Sequence, residues 1–94
     1  MPAIKRLVLD VLKPHDPKIV EFTQQVGEEP SVEGVTSKLV DIEEEVRTLR
    51  VSVEGEDLDM DALEDRITDL SGSIHSIDEV SCGETVVDDP WLLD

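Results

Sequence analysis

Two histidines and two aspartates are the side chains of this 94-residue chain whose types and spacing could do chemistry. Asp10 interrupts the apolar run LVLDVL, and His15 follows at its exit, Lys13-Pro14-His15-Asp16-Pro17. His75 and Asp78 stand close together in GSIHSIDEV. Imidazole supplies a neutral nitrogen donor and a carboxylate offsets cationic charge, so Asp10, His15, His75 and Asp78 are candidate ligands for a divalent metal. The same pairing of groups could carry acid-base chemistry. The spacing matches no short metal motif. The competing structural reading makes His15 an exposed residue ahead of a helix and His75 a hydrogen-bonded strand residue.

These four residues can meet only if the elements around them place them together. Ile4 to Leu12 reads as a first strand, with Leu7, Leu9 and Val11 on one face and Arg6, Val8, Asp10 and Leu12 on the other. Both faces are largely apolar, which suits a central strand. Asp16 then has the character of an N-cap with Pro17 at the first helical position, followed by Ile19, Phe22 and Val26 at helical spacing and Gly27 as the stop. Val35 to Ile42 and Leu49 to Val53 read as a hairpin turning near Glu43-Glu44-Glu45. A second helix starts at an aspartate cap, either Asp57 or Asp59, carries Met60, Leu63, Ile67 and Leu70 on one stripe, and stops at Gly72. Ser73 to Val80 reads as the last strand. Ser81 to Asp94 reads as a tail, with a short extended piece at Glu84 to Val87 and the apolar tip Pro90-Trp91-Leu92-Leu93.

The order β-α-β-β-α-β is the split βαβ, or ferredoxin-like, arrangement of the α+β class: a four-stranded antiparallel sheet with two helices on one face. Residues 1–83 form that domain and 84–94 an acidic C-terminal tail with an apolar tip. In this arrangement the first strand is central and runs antiparallel beside the last, so His15 and His75 are expected near one end of the sheet. Asp10 and Asp78 lie further down the same two strands, and their facing depends on register.

Other chemistries can be weighed by absence. EGEDLDMDALED, Glu54 to Asp65, holds seven carboxylates but fails as a calcium loop, because Ala62 stands where its glycine is needed and Thr68 where its bidentate glutamate is needed. It reads as an acidic first turn favoured by the helix dipole, with weak cation binding as the lesser reading. The chain has no Asn, no GxxxxGK loop, no CxxC and no aromatic strand motif for stacking bases. No nucleophile elbow presents a serine, so no catalytic residues are assigned and a binding protein is favoured over an enzyme.

Composition sets the environment. Twenty-four acidic against 8 basic residues give a net charge of −16, which disfavours nucleic acid as a partner, since that binding rests on Lys and Arg neutralising phosphates. The charges are dispersed among periodic apolar positions, unlike those of a disordered acidic tail. With only four Lys, this predicts a folded, halophilic-type protein whose self-repulsion is screened by salt, the alternative being an ordinary acidic protein. The single Cys82 implies neither a disulfide framework nor a zinc finger. No stretch approaches the ~20 apolar residues that span a bilayer, and MPAIKRLVLDVLKP lacks a small-residue cleavage site, so no membrane partner and a cytoplasmic location are expected.

LVLDVLKPHDP, VSVEGEDLDMDAL and GSIHSIDEVSCG together resemble the archaeal domain-of-unknown-function family 211, in LDVLKPH, in the EG-x-D/N-L-D/N start of the second helix and in IHSIDEV. The similarity covers most of residues 3–83. It implies a ferredoxin-like fold and self-assembly into larger homo-oligomers, and it supplies no activity. Its motifs single out Asp10, Lys13, Pro14, His15, His75, Ser76, Asp78 and Glu79, as a site or as a subunit contact. The acid load and the DDPWLLD tail depart from the usual pattern and resemble forms from salt-loving archaea.

Two functional expectations follow. In one, the sheet end holds a metal ion or small ligand, with its cofactor otherwise unspecified, and the protein is an oligomeric binding or regulatory module. In the other, the same residues make subunit contacts in a structural homo-oligomer without ligand chemistry. A metal-assisted hydrolase is a third reading, with no nucleophile motif behind it.

Overall fold

Alternating leucine and valine along the first strand must share one dry face. In the computed structural model of the chain, which describes residues 1–88, they do. The elements run β1 (Ile4–Pro14), α1 (Ile19–Gly27), β2 (Gly34–Glu43), β3 (Val46–Glu54), α2 (Met60–Asp69) and β4 (Ser73–Cys82). The strands form one sheet in the order β2-β3-β1-β4, each neighbouring pair antiparallel, so the fold is the expected ferredoxin-like α+β arrangement.

Leu7, Leu9 and Val11 of β1 pair across the sheet with Val53, Val51 and Leu49 of β3. These six side chains and Phe22, Val26, Leu63 and Ile67 of the two helices are buried in one cluster, which places both helices on the same face. The other face carries Arg6, Val8, Asp10 and Leu12 of β1, opposite Glu54, Ser52, Arg50 and Thr48 of β3. On the far side of β1, Ser81, Glu79, Ser76 and Ser73 of β4 stand opposite the same four residues, so β4 adds polar side chains to that face.

The start of α1 corrects one reading of the sequence. Asp16 is not the cap and Pro17 is not helical: the Asp16–Pro17 peptide is cis, Lys18 is extended, and the first helical bond runs from Phe22 N to Lys18 O at 2.9 Å. Residues 15–18 are spent crossing from the sheet to the helix layer, so the helix begins two residues beyond the local cap signature. At α2 the open choice resolves to Asp59, whose side chain accepts from Ala62 N at 3.1 Å. That cap is tied to the preceding loop, because Asp59 N donates to Ser31 Oγ at 3.0 Å, while the buried Glu29 carboxylate receives both Ser31 N and Ser31 Oγ.

Gly72 follows α2, but the left-handed backbone belongs to Ser71, at φ 68°. Gly72 is needed for close approach instead, since a Cβ there would stand 3.0 Å from Ile67 Cγ2 and 3.2 Å from Ile67 O. The acidic hairpin turn leaves Glu44 at φ 34°, without the glycine usual in such a turn. Beyond β4, Gly83 N donates to Ala3 O, no strand forms over 84–87, and the Asp88 carboxylate rests on Arg6. The expected apolar tip of the tail lies outside the described residues. No helix among them is long and apolar enough to cross a membrane.

Candidate functional site

β1 ends at a cationic corner. Lys13 continues the inward-facing series of Leu7, Leu9 and Val11, so its stem is carried into the interior and the residue is only 3% exposed. Its ammonium lies 5.9 Å from the centroid of the Phe22 ring and donates to Pro14 O at 2.6 Å, with His15 O at 3.5 Å. Burial pushes its pKa below the usual lysine range, the charge of Arg47 adds to that shift, and Asp16 partly opposes it. Among the described residues no carboxylate forms a salt bridge with it.

Arg47 stands opposite Lys13 in the β1–β3 register. Its Nη1 donates to Glu44 O at 3.2 Å, which ties it to the hairpin turn, and its Nη2 lies 3.1 Å from Nδ1 of His15. A guanidinium can only donate, so Nδ1 is the acceptor and Nε2 carries the ring proton. Lys13, His15, Lys18 and Arg47 surround a pocket of about 240 Å³, floored by Ile19, Leu39 and Leu49. Three of the eight Lys and Arg residues of a chain of net charge −16 thus line one small cavity, together with one of its two histidines and no acidic residue. Such a cavity can receive a small anion with an apolar body: the cations supply charge and N–H donors, and the aliphatic floor supplies contact.

The four residues singled out by type are divided between two places. His15 is at the corner just described. Asp10 is half-buried on the face away from the helices, between Arg50 of β3 and Ser76 of β4. His75 is the residue skipped where the β1–β4 register passes from Val11↔Ile74 to Asp10↔Ser76, and Asp78 is skipped between Leu9↔Ile77 and Val8↔Glu79. Both are therefore bulge positions on an edge strand, and both are exposed. Ser76 Oγ donates to Asp78 Oδ1 at 2.7 Å, so Asp10, His75, Ser76 and Asp78 share one stretch of β1 and β4, apart from His15. Among the described residues no three His, Cys, Asp or Glu side chains converge as a metal would require. Cys82 is exposed at the opposite end of β4, paired with Ile4.

Reading by residue type missed Lys18 and Arg47. The signal for Arg47 was the register of β3 against β1, which sets it across from Lys13. For Lys18 no local signal exists, because its place depends on how the chain leaves the sheet.

A second charged cluster lies at the other end of β1. Arg6 donates to Glu54 at 3.1 Å, to Glu79 at 3.3 Å and to Asp88 at 3.2 Å. Its pKa is held above the ordinary arginine value by the hydrogen bonds to Glu79 first and Glu54 next.

Residues 5–93 match the family DUF211, described as "Uncharacterized ArCR". An uncharacterized protein of Methanocaldococcus jannaschii is 38% identical over 89 residues, which cover 95% of this chain and 92% of that protein.

Proposed function

The chain belongs to the uncharacterised archaeal family DUF211, and from that premise we propose that it is a small homo-oligomeric binding or regulatory module whose ligand sits at the sheet end. One observation carries the reading: Lys13, His15, Lys18 and Arg47 collect around a single cavity in a strongly acidic chain. Like charges are brought together at a cost, and an anionic occupant offsets that cost.

Melting followed by circular dichroism, in the presence of a panel of organic acids, amino acids, nucleotides, phosphate and zinc, tests the reading. A ligand at a hundred times its Kd stabilises the native state by about 2.7 kcal/mol, a rise of roughly 10 °C or more for a domain of this size. At least one ligand class is expected to raise the melting temperature of the wild type and not of the Arg47→Gln variant. Equal responses of the two proteins to every class would refute a ligand site at this corner.

A second reading, a structural homo-oligomer without ligand chemistry, is favoured by apolar side chains on both outer strands. Leu39, Val40 and Ile42 of β2 are 49%, 57% and 56% exposed, and Ile77 and Val80 of β4 are 50% and 52% exposed. Patches of this kind on a monomer mark contact surfaces. Light scattering in molar salt should give a mass several times 10.4 kDa. A monomer at tens of micromolar removes the oligomer from both readings, and the pocket then stands or falls on the melting panel alone.

A further inference from the structure

We propose that the corner pocket takes a small free organic acid, a monocarboxylate with an aliphatic body of about half a dozen carbons; this rests on the ligand-site reading above and specifies its ligand. Size comes first. The half-open cavity of about 240 Å³ has the volume of roughly eight waters at ~30 Å³ each, room for a small molecule of about that many heavy atoms. Its floor is Ile19, Leu39 and Leu49, so the body of the ligand has to be apolar; inorganic phosphate would leave that floor wet.

Charge comes second. Arg47 uses Nη1 on Glu44 O and Nη2 on His15 Nδ1, which leaves three of its five N–H donors for a carboxylate. The hydrogen bond from Arg47 also fixes His15 with Nε2–H as a donor. Lys13 is buried without a carboxylate partner among the described residues, and the exposed Lys18 adds a further cation to the lining. Asp16 is the acidic residue that acts on Lys13, and one aspartate does not neutralise Lys13, Lys18 and Arg47 together. A second anionic group set against the aliphatic lining would be desolvated there without a partner, so a single carboxylate suits that part of the pocket.

Methyl-region NMR of the full chain at fixed ionic strength, titrated with isocaproate, provides the test. The neutral isostere isocaproamide and inorganic phosphate serve as controls. Isocaproate is expected to shift the methyl signals of Ile19, Leu39 and Leu49 and to saturate, with the amide at least tenfold weaker and phosphate not saturating. Arg47→Gln should weaken isocaproate at least tenfold. Should that variant not fold, Lys18→Gln, at an exposed position, should weaken it several-fold. Arg50→Gln, on the opposite face of the sheet, should leave the affinity unchanged.

Equal binding of acid and amide would overturn the proposal by showing an uncharged apolar hole. Phosphate binding as tightly as isocaproate would overturn it by showing a bare charge patch. Absence of isocaproate saturation, alongside an Arg47-dependent response to another class in the melting panel, would overturn the ligand assignment and leave the ligand-site reading standing. An empty panel would remove both.

Discussion

Replacing Lys13 by Met should cost ligand affinity and very little stability. The substitution keeps the unbranched stem and deletes the ammonium. On the debit side, the short bond to Pro14 O at 2.6 Å is a charge-assisted hydrogen bond worth about 1.5–3 kcal/mol, while the contact to His15 O at 3.5 Å is too long to add much. The ammonium at 5.9 Å from the Phe22 centroid contributes about 0.5–2 kcal/mol. On the credit side, removing the cation relieves the desolvation cost that already lowers its pKa, and a thioether beside Phe22 returns about 0.3–1.5 kcal/mol. Pro14 and His15 are exposed, so water can reach their freed carbonyls. The opposing contributions leave the variant within about 2 kcal/mol of wild type, while isocaproate binding should fall at least tenfold. Lys13 also has a pH signature. Because its folded pKa lies below the ordinary 10.5, the unfolded chain binds more protons between the two values, so wild-type stability relative to the variant should rise as pH climbs through that window. Urea denaturation followed by circular dichroism at neutral pH and near pH 10 measures both effects. A loss above about 3 kcal/mol at neutral pH, with no relative gain at high pH, would show that Lys13 is a structural tie and that its burial costs the fold nothing.

Three further outcomes can be checked by urea or thermal denaturation. Asp59→Ala removes the acceptor of Ala62 N and should destabilise by about 1 kcal/mol, whereas Asp57→Ala, outside the cap, should be near neutral. Gly55→Ala should cost about 2 kcal/mol or more, because a Cβ there would overlap the Ser31 carbonyl oxygen and stand 2.9 Å from Leu58 Cδ2. Dialysis from molar to tens of millimolar salt should lower the melting temperature through repulsion within a net charge of −16, and an unchanged melting temperature would remove the high-salt adaptation.

The sheet and both helices were legible because burial is dictated locally: Leu7, Leu9 and Val11 repeat with period two, and Phe22 with Val26, or Leu63 with Ile67, with the helical period. Asp16 misled because a cap signature is silent on how many residues the chain needs to climb from sheet to helix layer. His75 and Asp78 were noticed for their chemistry, but their bulges were invisible, since register is a property of two strands and neither residue carries the signature of a kink. Starting the third strand at Leu49 left Arg47 outside the sheet. With β3 starting at Val46, Arg47 comes into register with Lys13, and the pocket becomes visible only then.

The bulges at His75 and Asp78 also make the two margins of the sheet unequal. On β4 they cut the ladder to β1 into short pieces, with only Ser76 and Ile77 between them. On β2 the interruption is a single one near the tip, between Leu39 and Asp41, which leaves Gly34 to Leu39 in continuous register. Segments of about six residues are the length that stacks into cross-β zippers. Among the described residues the sheet thus has one continuous margin and one interrupted margin, and Lys38 sits within the continuous one as a deterrent to pairing. Two copies joined backbone to backbone through β2 would use up each other's free margin and offer a third copy nothing to extend. Strand addition through β2 alone would therefore close at a pair instead of extending into a fibril.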